Sequence, residues 1–162
     1  MGRQAQQAAV PGTLNPPDTQ PDEALLAAWR QTDYQVDTAG GSLVLHIDEH
    51  SPGLAELMRA EGVDCAAYIT ADNPCSTVVS AAENAAARQR LEARLREGGW
   101  RWLPGMGFDP GGDHPGEHSL LVLGITPDDA VALAREFAQD AILGIGADAS
   151  PRLLVTRPEA NT

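Results

Sequence analysis

The alternation of apolar and polar residues divides most of the chain into short helices and strands. Asp22 to Arg30 puts Leu25, Leu26 and Trp29 on one side of a short helix. Tyr34–Asp37 and Leu43–Ile47 predict two strands around a Gly40-Gly41 turn. Ser51-Pro52 predicts a helix start, with Ser as cap and Pro at the first position; that helix runs to about Ala60 and stops at Gly62. The apolar run Cys65–Ala71 predicts a buried strand. After a loop from Asp72 to Val79, Ser80-Ala81-Ala82-Glu83 reads as a capping box opening a helix through Arg96. Its buried stripe is Ala87, Leu91 and Leu95; Arg88, Arg90, Arg94 and Arg96 fall mostly outside, and Gly98-Gly99 close it.

Trp100–Leu103 and Ser119–Ile125 predict two further strands. The Gly- and Pro-bearing stretch Pro104–His118 between them predicts a long loop of the kind that serves as a lid or binding loop. Thr126-Pro127-Asp128-Asp129 predicts a helix start, with Val131, Ala134, Phe137, Ala138 and Ala141 on the core face. Ile142–Gly146 and Leu153–Thr156 predict a closing hairpin. The expected class is α+β (or mixed α/β): a single domain over 22–157 with helices packed on one mixed β-sheet. The Gln-, Ala-, Pro- and Thr-rich residues 1–21 read as a disordered N-terminal leader, and 158–162 as a C-terminal tail.

Charge narrows the partners. With 23 acidic residues against 11 basic ones, the net charge of −12 would repel a nucleic-acid polymer or an anionic membrane over most of the surface. A single nucleotide stays compatible, since a nest of backbone N–H groups needs no net positive charge. With aromatics at only 4%, the core must rest on Ala, Leu, Val and Ile. Of the two cysteines, Cys65 reads as a small buried hydrophobe and Cys75, in a loop after Pro74, as the more reactive thiol; no disulfide framework is implied. No apolar run has membrane-spanning length and no secretory signal is visible, so a cytoplasmic protein of bacterial type is expected. No motif calls for a cofactor, and nothing names a protein partner or a reaction.

Candidate chemistry starts at Ile69-Thr70-Ala71-Asp72-Asn73-Pro74, where polar and backbone-fixing residues follow a buried strand. Ordered loops at strand ends are favoured ligand sites. The polar set is Thr70, Asn73, Asn84, Glu117, Ser119 and Gln139, each at an element end or beside an apolar run. Asn84 near a helix start suggests an anion pocket. Glu117, just before a buried strand, is the candidate catalytic acid or base, its pKa raised by burial. Gln139 sits where a buried amide needs partners. Together they predict a small-molecule pocket for a nucleotide-like or carboxylate ligand, with Pro104–His118 as its lid. The alternative is a non-enzymatic acidic interaction or regulatory module, in which Asn73 forms an Asx turn while Asn84 and Gln139 pin loops.

Other constellations are weaker. Asp113, His114, Glu117 and His118 suggest a metal, but Pro115-Gly116 forbids a shared helical face and no metal site is expected. His46 and His50, also four apart, are split by a strand end. Glu117, His118 and Ser119 are sequence neighbours pointing to alternate faces and make no triad. Gly105-Met106-Gly107 and Gly111-Gly112 lack the ending of a phosphate loop. Trp100 and Trp102 should share one strand face, as core or as the wall of a cleft.

Several phrases, in order, resemble the domain-of-unknown-function family DUF3293. They are Ile69-Thr70-Ala71-Asp72-Asn73-Pro74, Glu83-Asn84 with Leu91 and Leu95, Glu117-His118-Ser119-Leu120-Leu121-Val122, Gly124-Ile125, and Phe137-Ala138-Gln139-Asp140-Ala141-Ile142. The resemblance spans roughly Tyr34 to Val155 and implies a compact single-domain cytoplasmic protein. It brings no activity and nominates no catalytic residue.

Overall fold

A computed structural model describes residues 23–109 and 116–156. The expected leader and tail, as well as Asp113 and His114, lie outside the described residues. Four helices and seven strands follow in the order α1 (Glu23–Gln31), β1 (Asp33–Thr38), β2 (Gly41–Leu45), α2 (Pro52–Glu61), β3 (Ala66–Thr70), α3 (Ala81–Gly98), β4 (Arg101–Phe108), β5 (Glu117–Leu123), α4 (Pro127–Glu136), β6 (Ala141–Ile145) and β7 (Pro151–Val155), with one 3₁₀ turn at Pro74–Ser76. The strands form a single curled sheet in the order β2-β1-β4-β5-β3-β6-β7. The class is α+β. The sheet was expected to be mixed, but all its pairings are antiparallel. The helical crossovers from β3 to β4 and from β5 to β6 each skip one strand and return parallel to the strand they left, so the interleaved neighbours are all antiparallel, an arrangement that local patterning does not encode.

Helix ends follow cap chemistry. The Ser51 and Thr126 side chains accept from the N–H groups of Leu54 and Asp129, and each is followed by Pro at the first helical position. Ser80 and Glu83 complete a reciprocal capping box at the start of α3. Gly62 and Gly99 take left-handed φ values of 72° and 78° and return their N–H groups to the last turns of α2 and α3.

Helices cover both faces of the sheet. On one side α3 (Ala87, Leu91, Leu95) and α4 (Ala130, Leu133, Ala134) pack on Ala67, Ile69, Leu120, Val122 and Ile142. Trp100 and Trp102 share that side, as their alternation implies, and the Arg96 guanidinium lies 5.6 Å above the Trp102 ring. On the other side α2 (Leu54, Met58) and Trp29 of α1 pack on Tyr68, Leu121, Leu123, Leu143 and Ile145. This double cover explains why β3 and β5 are apolar at successive positions rather than alternate ones. Leu91 and Leu95 are wholly buried, and truncating either to Ala would cost about 2–5 kcal/mol.

Two boundaries differ from the sequence reading. Both ends of the expected Pro104–His118 lid are sheet: β4 continues to Phe108 and β5 begins at Glu117, while 110–115 lie outside the described residues. Pro104 is tolerated because β1 pairs with β4 only from Gly105 to Phe108, so no ladder bond is asked of its nitrogen on that side. At Gly105 a Cβ would lie 2.1 Å from the Gln35 carbonyl oxygen, so glycine permits the strands' close approach. The Tyr68 hydroxyl reaches over this glycine from β3 to donate to the same carbonyl, at 2.8 Å, tying β3 to β1 across the face that α2 covers. The second difference is α4, which ends at Glu136. Phe137 caps it, Ala138 turns left-handed at φ 56°, and Ala141 belongs to β6. No helix among the described residues is long and apolar enough to cross a membrane.

Candidate functional site

The C-terminal end of β3 and the starts of β5 and β6 meet at one rim of the sheet, where the chain must pass from β3 into α3. Thr70 begins that exit. Its hydroxyl donates to the His118 carbonyl at 2.6 Å and accepts from the Asp72 N–H at 3.0 Å, so it closes a local turn. Asp72 then turns inward, with only 4% of its side chain exposed, accepting from the His118 N–H at 3.0 Å and from Arg88 of α3 at 3.3 Å. A charge so buried requires both partners.

Asn73 is the next junction. Its amide donates to Glu117 Oε2 at 2.9 Å, while its Oδ1 accepts from Asn84 Nδ2 at 3.0 Å and from the Val79 N–H at 3.3 Å. Its backbone N–H donates to Asn84 Oδ1 at 2.8 Å. Asn84 therefore grips the loop at two points. The helix start that Asn84 was expected to open for an anion is closed by its own capping box. Gln139, in the turn after α4, donates to the Asp72 carbonyl at 3.0 Å. On the same side the Cys75 N–H donates to the Ala138 carbonyl at 2.7 Å and the Ser76 hydroxyl to Asp140 Oδ2 at 2.7 Å. Cys75 itself is exposed.

Five of the six polar residues read from the sequence thus converge on the 70–80 segment, and three of them, Asn73, Asn84 and Glu117, are bonded to one another. Ser119 stands apart: paired with Thr70 in the ladder, it turns its hydroxyl back to the Glu117 carbonyl, beside Tyr68. Burial pushes the Glu117 carboxyl above its usual range, the Asn73 amide pulls it back, and the Asp72 charge adds to the rise. Burial also raises both tyrosines on this face, Tyr34 to about 12 and Tyr68 further. No group of three or more His, Cys, Asp or Glu that could hold a metal ion occurs among the described residues.

The hollow at this rim lies beside the network. A half-open groove of about 420 Å³ runs between α3 and the end of α4. Ala71 and Pro74 of the strand exit form one wall; Ala87, Arg90, Ala93 and Arg94 of α3 the second; Glu136, Phe137 and Ala138 the third. None of the six polar residues lines it. They hold Ala71 and Pro74 in place from behind.

The groove's charges differ in state. Arg94 crosses to α4 and makes a two-pronged pair with Glu136, at 2.8 and 3.0 Å. Arg90, one turn earlier on the same face, is exposed and makes no hydrogen bond or ion pair among the described residues. Arg59, Arg88, Arg94, Arg96, Arg101 and Arg152 pair with carboxylates and Arg135 donates to the Thr156 carbonyl, while Arg30 on α1 shares the state of Arg90 among the described residues but lies away from the groove. Sequence reasoning placed Arg90 on a solvated face. The missed signal was its spacing from Arg94 together with the small residues around it.

No curated protein and no solved structure matches the chain. A family model does match, over 69–142, a shorter stretch than the Tyr34–Val155 resemblance read from the sequence. That stretch runs from the end of β3 into β6 and contains the whole polar network and every residue of the groove. Residues 69–142 match the model of the DUF3293 family, described as a protein of unknown function.

Proposed function

We propose that this domain binds a small organic anion, a carboxylate with an apolar body, in the groove between α3 and α4. The observation that carries the reading is an arginine without a partner among the described residues, Arg90, on a groove of about 420 Å³ in a chain of net charge −12. Ligand sites are commonly concavities of about 300–1,000 Å³ with mostly apolar walls and a few placed polar groups. Here Ala71, Ala87, Ala93 and Phe137 supply the walls, and the guanidinium suits a carboxylate's two oxygens. A carboxylate fits better than a nucleotide, because the lining has neither a glycine-rich turn nor a lysine. In this reading Glu117, Asn73, Asn84 and Gln139 act as struts that fix the wall, and Thr70 and Ser119 belong to the sheet rim.

The test is calorimetric titration of the full chain with 4-phenylbutyrate, hexanoate and their uncharged amides. The acids should bind and the amides should not. Arg90→Ala should abolish binding, and Ala93→Trp, which fills the groove from an exposed position, should do the same without unfolding the domain. Absence of binding by every acid would refute the reading.

One observation favours a second reading, an acidic interaction module without a ligand: the polar side chains spend their hydrogen bonds on one another and on nearby backbone groups. In that case the acids leave the protein unchanged and the network serves stability alone.

A further inference from the structure

The Arg94–Glu136 pair occupies an unusual place. Among the described residues it is the side-chain link between α3 and α4, and both of its members line the groove. Both are well exposed, at 40% and 44%. Water and salt therefore screen the pair, and such exposed pairs hold with little free energy. Glu136 also presents to Arg94 the same group, a carboxylate, that an incoming ligand would bring. Arg90 and Arg94 are four apart on one helix, so their guanidinium groups project over the same stretch of groove.

We propose that Glu136 is an internal competitor for the groove: its carboxylate holds Arg94 when the groove is empty, and a ligand carboxylate seated on Arg90 takes Arg94 over as Glu136 swings to solvent. The inference rests on the binding reading above and adds its selectivity. A monoanion with an apolar body gains two arginines and displaces one carboxylate. A ligand with a second carboxylate near its head meets Glu136 and is disfavoured, since like charges in a confined site oppose each other. The displaced link also joins two elements whose other side-chain bonds run elsewhere, so the relative freedom of α3 and α4 should change with occupancy.

A double-mutant cycle read by calorimetry tests this, with 4-phenylbutyrate as probe and the full-length chain throughout. Glu136→Gln should tighten binding by up to about fivefold, the most expected for releasing an exposed ion pair. The gain should vanish when Arg94→Ala is already present. Phenylsuccinate should bind more weakly than 4-phenylbutyrate to the parent chain and recover in Glu136→Gln. An equal gain from Glu136→Gln with and without Arg94 would overturn the competitor role, showing that only the local charge matters. No gain at all, with Arg90→Ala still abolishing binding, would likewise overturn it and leave the groove reading standing. Failure of the probe to bind the parent chain and Glu136→Gln alike would remove both. Both positions are exposed, and circular dichroism of each variant confirms that the fold is kept.

Discussion

Replacing Asn73 by Ala removes the junction of the strand-exit network, and its cost can be worked out bond by bond. The side chain makes three hydrogen bonds: to the Glu117 carboxylate, from Asn84 and from the Val79 N–H. A neutral bond contributes about 0.5–1.5 kcal/mol and one to a charged group about 1.5–3 kcal/mol. Water reaches this half-buried site and replaces part of each, so the net loss should be about 3 kcal/mol, or about 10 °C in Tm for a domain of this size. Backbone conformation adds a separate contribution. Asn73 sits at φ 50°, ψ 63°, a left-handed conformation that Asn adopts more readily than Ala, which carries a penalty of about 1 kcal/mol there. Asn73→Gly loses the same three bonds but accepts the backbone, so it should be about 1 kcal/mol more stable than Asn73→Ala. Urea unfolding followed by circular dichroism measures both. The same variants remove the one hydrogen bond that lowers the Glu117 pKa, so an NMR titration of its carboxyl should move further up. An Asn73→Ala domain within about 1 kcal/mol of the parent, or a Gly variant no better than Ala, would refute this account of the loop.

Glu117→Gln should stabilise the domain at neutral pH. Folding raises this carboxyl above 4.5, so its ionised form opposes the fold: the cost is absent below 4.5, grows as pH rises through the folded value and is full above it. Stability of the two proteins compared at pH 4 and pH 7 should therefore diverge only at the higher pH. Tyr68 is buried and Tyr34 half-buried, both with raised pKa values, Tyr34 to about 12, so absorbance at 295 nm should stay flat well past 10 and rise only as the protein unfolds. A normal titration of either ring in the folded state would contradict their burial. Gly105→Ala should cost about 2–3 kcal/mol or more by chemical denaturation, since the new Cβ meets a backbone carbonyl that cannot step aside.

How much of this was legible in the sequence depends on the range of the force at work. Helix starts were readable because a cap is a local bond: Ser51, Ser80 and Thr126 each accept from an N–H three residues on. The double-covered central strands were readable as unbroken apolar runs. The second half of β4 was not, because Pro104, Gly105 and Gly107 punctuate like a loop. Their tolerance comes from the limited reach of β1 and the close approach of Gln35, both tertiary facts. The end of α4 was missed for a similar reason. Apolar spacing carries on through Phe137 and Ala138, yet Ala138 breaks to a positive φ and gives its carbonyl to Cys75, a residue that nothing local ties to it.

The polar network and the groove show the same division. Asn73, Asn84 and Gln139 stood out because their side chains suit turns and loop pins, and most of their bonds do go to the strand-exit loop. A groove, by contrast, is made by what is missing. Alanines at 71, 87, 93 and 138 leave space where larger side chains would have closed α3 onto α4, and no pattern of periodicity announces a void. The backbone nonetheless marks the place. Asn73, Cys75 and Ser76 on one side and Ala138 on the other are non-glycine residues with φ between 50° and 57°. Such conformations cost about 1–3 kcal/mol each and persist only where surrounding bonds over-determine them. Here those bonds are the grip of Asn84, the Ala138 carbonyl on Cys75 and the Asp140 carboxylate on Ser76. A loop that merely linked β3 to α3 could relax these angles. Holding them puts Ala71, Pro74 and Ala138 around one hollow, and that supports reading the network as the scaffold of a binding groove rather than as turn chemistry alone.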